Sequence, residues 1–239
     1  MSHTASQVDY EINGETYEGY LAKPDTTANA PLVVIAHAWG GLKDNEISKA
    51  QLIADRLGYA AFALDVYGKG KRGDSPEECQ ALMNPLVEKR AELQKRLNAG
   101  LATARQQTGI DTSKVAAVGY CFGGLSVLDM ARANMDVSGV ASFHGLFMPA
   151  ENLTVEAIKP KVLIEHGWND PMATPQDVLA IAAEMEAAKA DWQMHAHGGA
   201  YHSFTTEGAN NPEMGTVYDA KADARSFAYL STFLEECFA

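Results

Sequence analysis

Cysteine is scarce in this chain: Cys79, Cys121 and Cys237 are the only three among 239 residues. An odd and widely spaced set of this kind excludes a secreted disulfide framework and a cysteine-rich zinc site. Long apolar stretches are missing too, with no run of about 18 residues able to span a bilayer. The opening Met1-Ser2-His3-Thr4-Ala5-Ser6 lacks the basic start and apolar core of a signal peptide, so the expected location is the cytoplasm. Cations are in deficit, 19 Lys and Arg against 31 Asp and Glu, for a formal net charge of −12. That balance repels nucleic acid and anionic membrane surfaces and leaves a small molecule as the expected partner. No linker, repeat or low-complexity stretch divides residues 1–239, which read as a single domain.

What is present is an alternation of buried strands and helices. Val8, Tyr10 and Ile12 lead to Asn13-Gly14, a strong tight-turn signal, and Tyr17, Gly19 and Leu21 carry the return strand of a hairpin. Leu32–Ala36 and Tyr59–Leu64 are continuous apolar runs, the sign of strands covered on both faces, and a helix over Asp44–Leu57 separates them. Ser75 to Thr108 is helix-like, opened by Ser75-Pro76-Glu77-Glu78 and with breaks expected near Pro85 and Gly109. Strands follow at Val115–Val118, Val140–Phe143, Val162–Ile164 and Trp192–Ala196, with helices over Pro175–Ala188 and Tyr218–Cys237. The pattern predicts an α/β fold with a mostly parallel central sheet and helices on both faces.

Within that pattern, Gly119-Tyr120-Cys121-Phe122-Gly123-Gly124 joins a strand to a helix. Glycines on either side of a turning residue make a nucleophile elbow, because a Cβ at Gly119 or Gly123 would collide with neighbouring backbone. The turn presents the Cys121 sulfur and aims the Phe122 amide and the helix dipole at any anion formed beside it, a setting for thiolate chemistry. Reactive groups of a parallel sheet gather beyond the carboxyl ends of its strands. There Asp170 follows the Val162 strand and His202 follows the Trp192 strand, giving the order nucleophile, acid, histidine. His37-Ala38-Trp39-Gly40-Gly41 follows the Leu32 strand, where Trp39 could donate a second oxyanion-hole amide beside Phe122. His37, Tyr120, His144, Trp168, Tyr201 and Phe204 flank these loops as candidates for the substrate pocket. His37, His144 and His166 together with Cys121 have the ligand types of a metal site, but no His-x-x-x-His spacing supports one, and neither metal nor cofactor is expected. His195 and His197 read as structural, and Lys69, Lys71 and Arg72 either form a solvated basic loop or meet an anionic substrate.

Over nearly its whole length the chain resembles the dienelactone hydrolase family, the cysteine branch of the α/β-hydrolases. The resemblance rests on the Cys121 elbow, the Asp170 turn, Gly199-Ala200-Tyr201-His202-Ser203-Phe204 and His37-Ala38-Trp39-Gly40. It implies hydrolysis of a lactone or activated ester through Cys121, His202 and Asp170, with the Phe122 and Trp39 amides binding the oxyanion. Two positions depart from the family. Ala38 stands where the best-studied members carry a glutamate that controls cysteine protonation, and Ser203-Phe204-Thr205-Thr206 lacks the arginine those members use to hold a substrate carboxylate. A rival reading is a thiol-based redox or electrophile sensor on the same scaffold.

Overall fold

Strand β1 (His3–Ile12) turns through Asn13 and Gly14, both at positive φ (53° and 79°), into β2 (Glu15–Pro24). Two left-handed residues in succession match the twist of a hairpin, and Tyr10 pairs with Tyr17 across it. The computed structural model describes residues 2–25 and 28–239. Next come β3 (Ala30–Ala36), helix α1 (Asp44–Leu57) and β4 (Ala60–Leu64). Helix α1 begins where the Glu46 carboxylate accepts the Lys43 N–H (3.1 Å), and ends at Gly58, whose φ of 71° suits a residue without Cβ.

Two helices then follow, α2 (Pro76–Glu88) and α3 (Arg90–Arg105). Ser75 caps α2 reciprocally with Glu78, each side chain taking the other's backbone N–H at 3.2 Å. The break lies at Lys89 and not at the expected Pro85, which sits inside α2. Proline withholds one N–H but the chain stays helical for another turn, until Lys89 leaves the helical region at φ −116°, ψ 66°.

Strand β5 (Ile110–Tyr120) carries the chain from one compact unit, residues 1–117, into a second, residues 118–239. In the first unit the strands are ordered β1-β2-β4-β3-β5, with β1, β2 and β4 antiparallel in sequence and β3 parallel to β4. The second unit holds the end of β5, helix α4 (Phe122–Arg132), β6 (Gly139–Phe143), β7 (Lys161–Gly167), helix α5 (Pro175–Ala187) and β8 (Trp192–His197). Its strand order is β5-β6-β7-β8, and β7 runs parallel to both β6 and β8. Every residue of β4 and β6 is buried, as strands covered on both faces require. The chain ends with a two-residue ladder of β9 (Asn210–Asn211) and β10 (Thr216–Val217) and the long helix α6 (Ala220–Cys237). Asp219 caps α6 by accepting the Lys221 and Ala222 N–H groups, both at 2.9 Å.

Candidate active site

The second unit builds its site from three loops. At the end of β5 the chain reverses at Cys121, whose φ of 57° and ψ of −116° lie outside the regions open to most side chains. Such a conformation costs about 1–3 kcal/mol and persists only where its surroundings enforce it. Here they do. A Cβ on Gly119 would stand 1.9 Å from the Gly123 carbonyl oxygen, and the Cys121 N–H donates to the Phe143 carbonyl at 3.0 Å. Phe122 opens α4 immediately afterwards, and the Cys121 sulfur is left partly exposed.

Asp170 lies just past β7, with its N–H on the Gly167 carbonyl (3.0 Å). One carboxylate oxygen, Oδ1, accepts the Met172 N–H at 2.8 Å; the other, Oδ2, meets His202 Nδ1 at 2.7 Å. The two loops approach closely because Gly167 has no side chain: a Cβ there would fall 2.5 Å from the Tyr201 carbonyl oxygen. His202 is pinned through its backbone, its N–H donating to Gly215 (2.9 Å) and its carbonyl accepting from Val217 (3.0 Å). Asp170 and His202 are both buried.

Nε2 of His202 is also buried and has no hydrogen-bond partner of good geometry. Cys121 acts on the same imidazole. Burial pulls the imidazole toward neutrality. The attraction of a Cys121 thiolate and the Asp170 carboxylate outweighs it and pushes His202 up to about 10. The site therefore favours the imidazolium form of His202.

Of the pocket candidates in this unit, Tyr120, His144 and Phe204 are buried around His202: the His144 ring lies edge-on to His202 at 5.1 Å and to Phe204 at 5.2 Å, and Tyr120 lies 6.0 Å from His144. Tyr201 is half-buried and Trp168 is 47% exposed. His166, fully buried between Phe147 and Trp168, is held neutral by that burial. It belongs to β7 with Glu165 and Gly167, so the strand runs three residues past the expected Ile164. Sequence reading missed Glu165 itself. Its buried carboxylate bridges His195 Nδ1 (2.7 Å) and His197 Nε2 (2.6 Å), and a lone acid inside Val162-Leu163-Ile164-Glu165 was the available signal.

In the first unit, His37 is buried and held neutral chiefly by that burial. Its Nε2 accepts the Val66 N–H at 3.2 Å, so Nδ1 carries the proton and donates to the Ala38 carbonyl at 2.7 Å. Trp39 is half-buried, and its carbonyl accepts the Tyr67 hydroxyl at 2.9 Å. The Ala38 N–H points to buried Glu46 (3.3 Å). Lys69 is paired with Asp9 and Glu18, Lys71 with Glu15, while Arg72 holds the Leu42 and Lys71 carbonyls. Among the described residues no group of three or more His, Cys, Asp or Glu is arranged to hold a metal ion.

The family profile that matches this chain, over residues 17–238, is that of the dienelactone hydrolases. The chain belongs to the dienelactone hydrolase family. Among dienelactone hydrolase relatives of known structure, m3DLH is 30% identical and superposes with a TM-score of 0.94, covering 99% of both chains. The dienelactone hydrolase-like promiscuous phosphotriesterase P91 from metagenomic libraries is 32% identical with a TM-score of 0.93, covering all of both chains. A carboxymethylenebutenolidase homolog of Mus musculus is 23% identical over 197 residues, 82% of this chain and 78% of the relative. The family's α/β fold with a mostly parallel central sheet is the fold described above. No helix among the described residues is long and apolar enough to cross a membrane.

Proposed function

We propose that this dienelactone hydrolase family member cleaves a small lactone or activated ester through a Cys121–His202–Asp170 triad and a thioester acyl-enzyme, without cofactor, in the cytoplasm, and that residues 1–239 work as one hydrolase domain. The observation that carries the reading is the 2.7 Å bond between Asp170 and His202 Nδ1, which in this reading leaves Nε2 as the ring nitrogen for Cys121. In this reading the thiolate attacks the carbonyl carbon and the π electrons move onto oxygen. The Phe122 amide at the start of α4, with the Trp39 amide, stabilises that oxyanion; each such donor is worth about 2.7–4 kcal/mol of barrier. As the tetrahedral species collapses, the C–O bond to the leaving group breaks and the His202 imidazolium supplies the proton the alkoxide needs. Neutral His202 then takes a proton from water, whose oxygen attacks the thioester, and the Cys121 thiolate departs as the acid is released.

Thiolates expel ordinary alkoxides poorly, so activated esters, enol lactones and thioesters are the expected substrates. Steady-state hydrolysis of a panel of these, including a phosphotriester, by the wild-type protein and Cys121→Ala tests the proposal. Loss of turnover in the variant supports it, and full retention overturns it. Oxidation of Cys121 without turnover of any panel member would favour the sensor reading.

A further inference from the structure

His144 occupies an expensive position. It is a buried, non-glycine residue at φ 37°, immediately after β6, where the left-handed region costs about 1–3 kcal/mol. Its backbone N–H donates across to the Glu165 carbonyl on β7 at 2.8 Å. Its ring Nε2 meets Thr205 Oγ1 at 2.9 Å, three residues beyond His202, while the ring itself lies edge-on to His202. The residues on either side of it grip the elbow. The Phe143 carbonyl takes the Cys121 N–H, and Gly145 lies so close to α4 that a Cβ on Gly124 would stand 2.6 Å from the Gly145 Cα. The loop bearing His202 carries strain of its own, with Ser203 at φ 59°.

One three-residue turn thus touches the nucleophile's loop through backbone and the base's loop through the His144 ring. The geometry points to His144 as a positioning residue: with Thr205 it fixes the His202 ring relative to Cys121, and the strain at its own backbone is held by that double attachment. This inference rests on the triad reading. His144 neither gives nor takes a proton in the reaction. It keeps Nε2 aimed at the sulfur in a buried site where misplacement by about 1 Å costs on the order of 100-fold in rate.

A double-mutant cycle tests the pair. His144→Phe keeps an aromatic ring against His202 and Phe204 but loses the bond to Thr205. Thr205→Val loses the same bond from the other side with little change of shape. His144→Gln retains a donor for Thr205. The readouts are kcat and KM on an activated ester, the pH profile of Cys121 alkylation by iodoacetamide, and thermal melting. Each of His144→Phe and Thr205→Val is expected to lower kcat by about 10- to 100-fold with little change in KM, and to shift the alkylation profile as the thiolate loses its aligned imidazolium. The double variant is expected to be no worse than the poorer single one, because one bond is removed in all three, and His144→Gln is expected to recover part of kcat. If both single variants keep kcat within about twofold, or their losses simply add while the alkylation profile stays put, the positioning role is wrong. Cys121→Ala separates the two levels: activity surviving that change overturns the triad itself, whereas activity lost there but untouched at His144 and Thr205 overturns only this inference.

Discussion

Replacing Asp170 with asparagine changes no volume and reverses the polarity of one contact. The Met172 N–H donates to Oδ1 at 2.8 Å, and in D170N it holds the amide oxygen at that position. The amide NH2 is then left facing His202 Nδ1, where a carboxylate oxygen at 2.7 Å used to accept. Two donors cannot face each other, so the imidazole moves its proton to Nε2 and can no longer take one from Cys121. Charge is lost as well. Against the pull of burial, His202 is pushed from 6.5 up to about 10, and the carboxylate shares that effect with Cys121. The wrong tautomer alone predicts a fall in kcat of about 10⁴-fold, the size seen when a triad acid becomes an amide. Stopped-flow hydrolysis of an activated ester measures it, with circular dichroism to show an intact fold. Activity within about tenfold of wild type would refute the tautomer reasoning.

Other expected outcomes follow from single contacts. Gly119→Ala would place Cβ 1.9 Å from a backbone carbonyl oxygen that cannot yield, so denaturant titration should show a loss above about 3 kcal/mol, whereas Gly198→Ala, with open space around it, should be nearly neutral. Arg132 is buried with two bonds to Glu184 (both 2.7 Å) and one to buried Asp129 (3.2 Å); Arg132→Met takes the cation away from both carboxylates and should cost about 3–5 kcal/mol in the same assay. His202 holds its proton to about 10 in the fold against an ordinary 6.5, so its contribution to stability is full below 6.5 and lost as pH rises through 10. The melting-temperature advantage of wild type over His202→Gln should therefore shrink across that window, and an advantage that grows with pH would contradict the assignment.

The strands were readable because burial on both faces writes itself as unbroken apolar runs, as in Leu32–Ala36 and Tyr59–Leu64. Helix α1 matched its expected bounds because Gly58 and the Lys43–Glu46 cap mark its ends chemically. Proline is weaker punctuation: Pro85 stayed helical because the next turn had N–H groups and packing enough to continue. The β9–β10 ladder left no signal, since four residues, all polar but Val217, have no period, yet Gly215 and Val217 hold the His202 backbone. Cys121, Asp170 and His202 lie past the ends of β5, β7 and β8, where the strand pattern of the sequence puts them. Thr205 and Glu165 were not legible, because a bond to a histidine 61 or 30 residues away depends on how strands are brought side by side.

Acyl transfer to Cys121 is the proposed step from which the rest descends. Intact-protein and peptide mass spectrometry on enzyme quenched with acid during turnover of an activated acetate ester tests it most directly. An acetyl group on the Cys121 peptide, appearing and decaying at rates consistent with turnover and missing in Cys121→Ala, is the predicted result. Turnover at full rate with Cys121 unmodified at every time would contradict it.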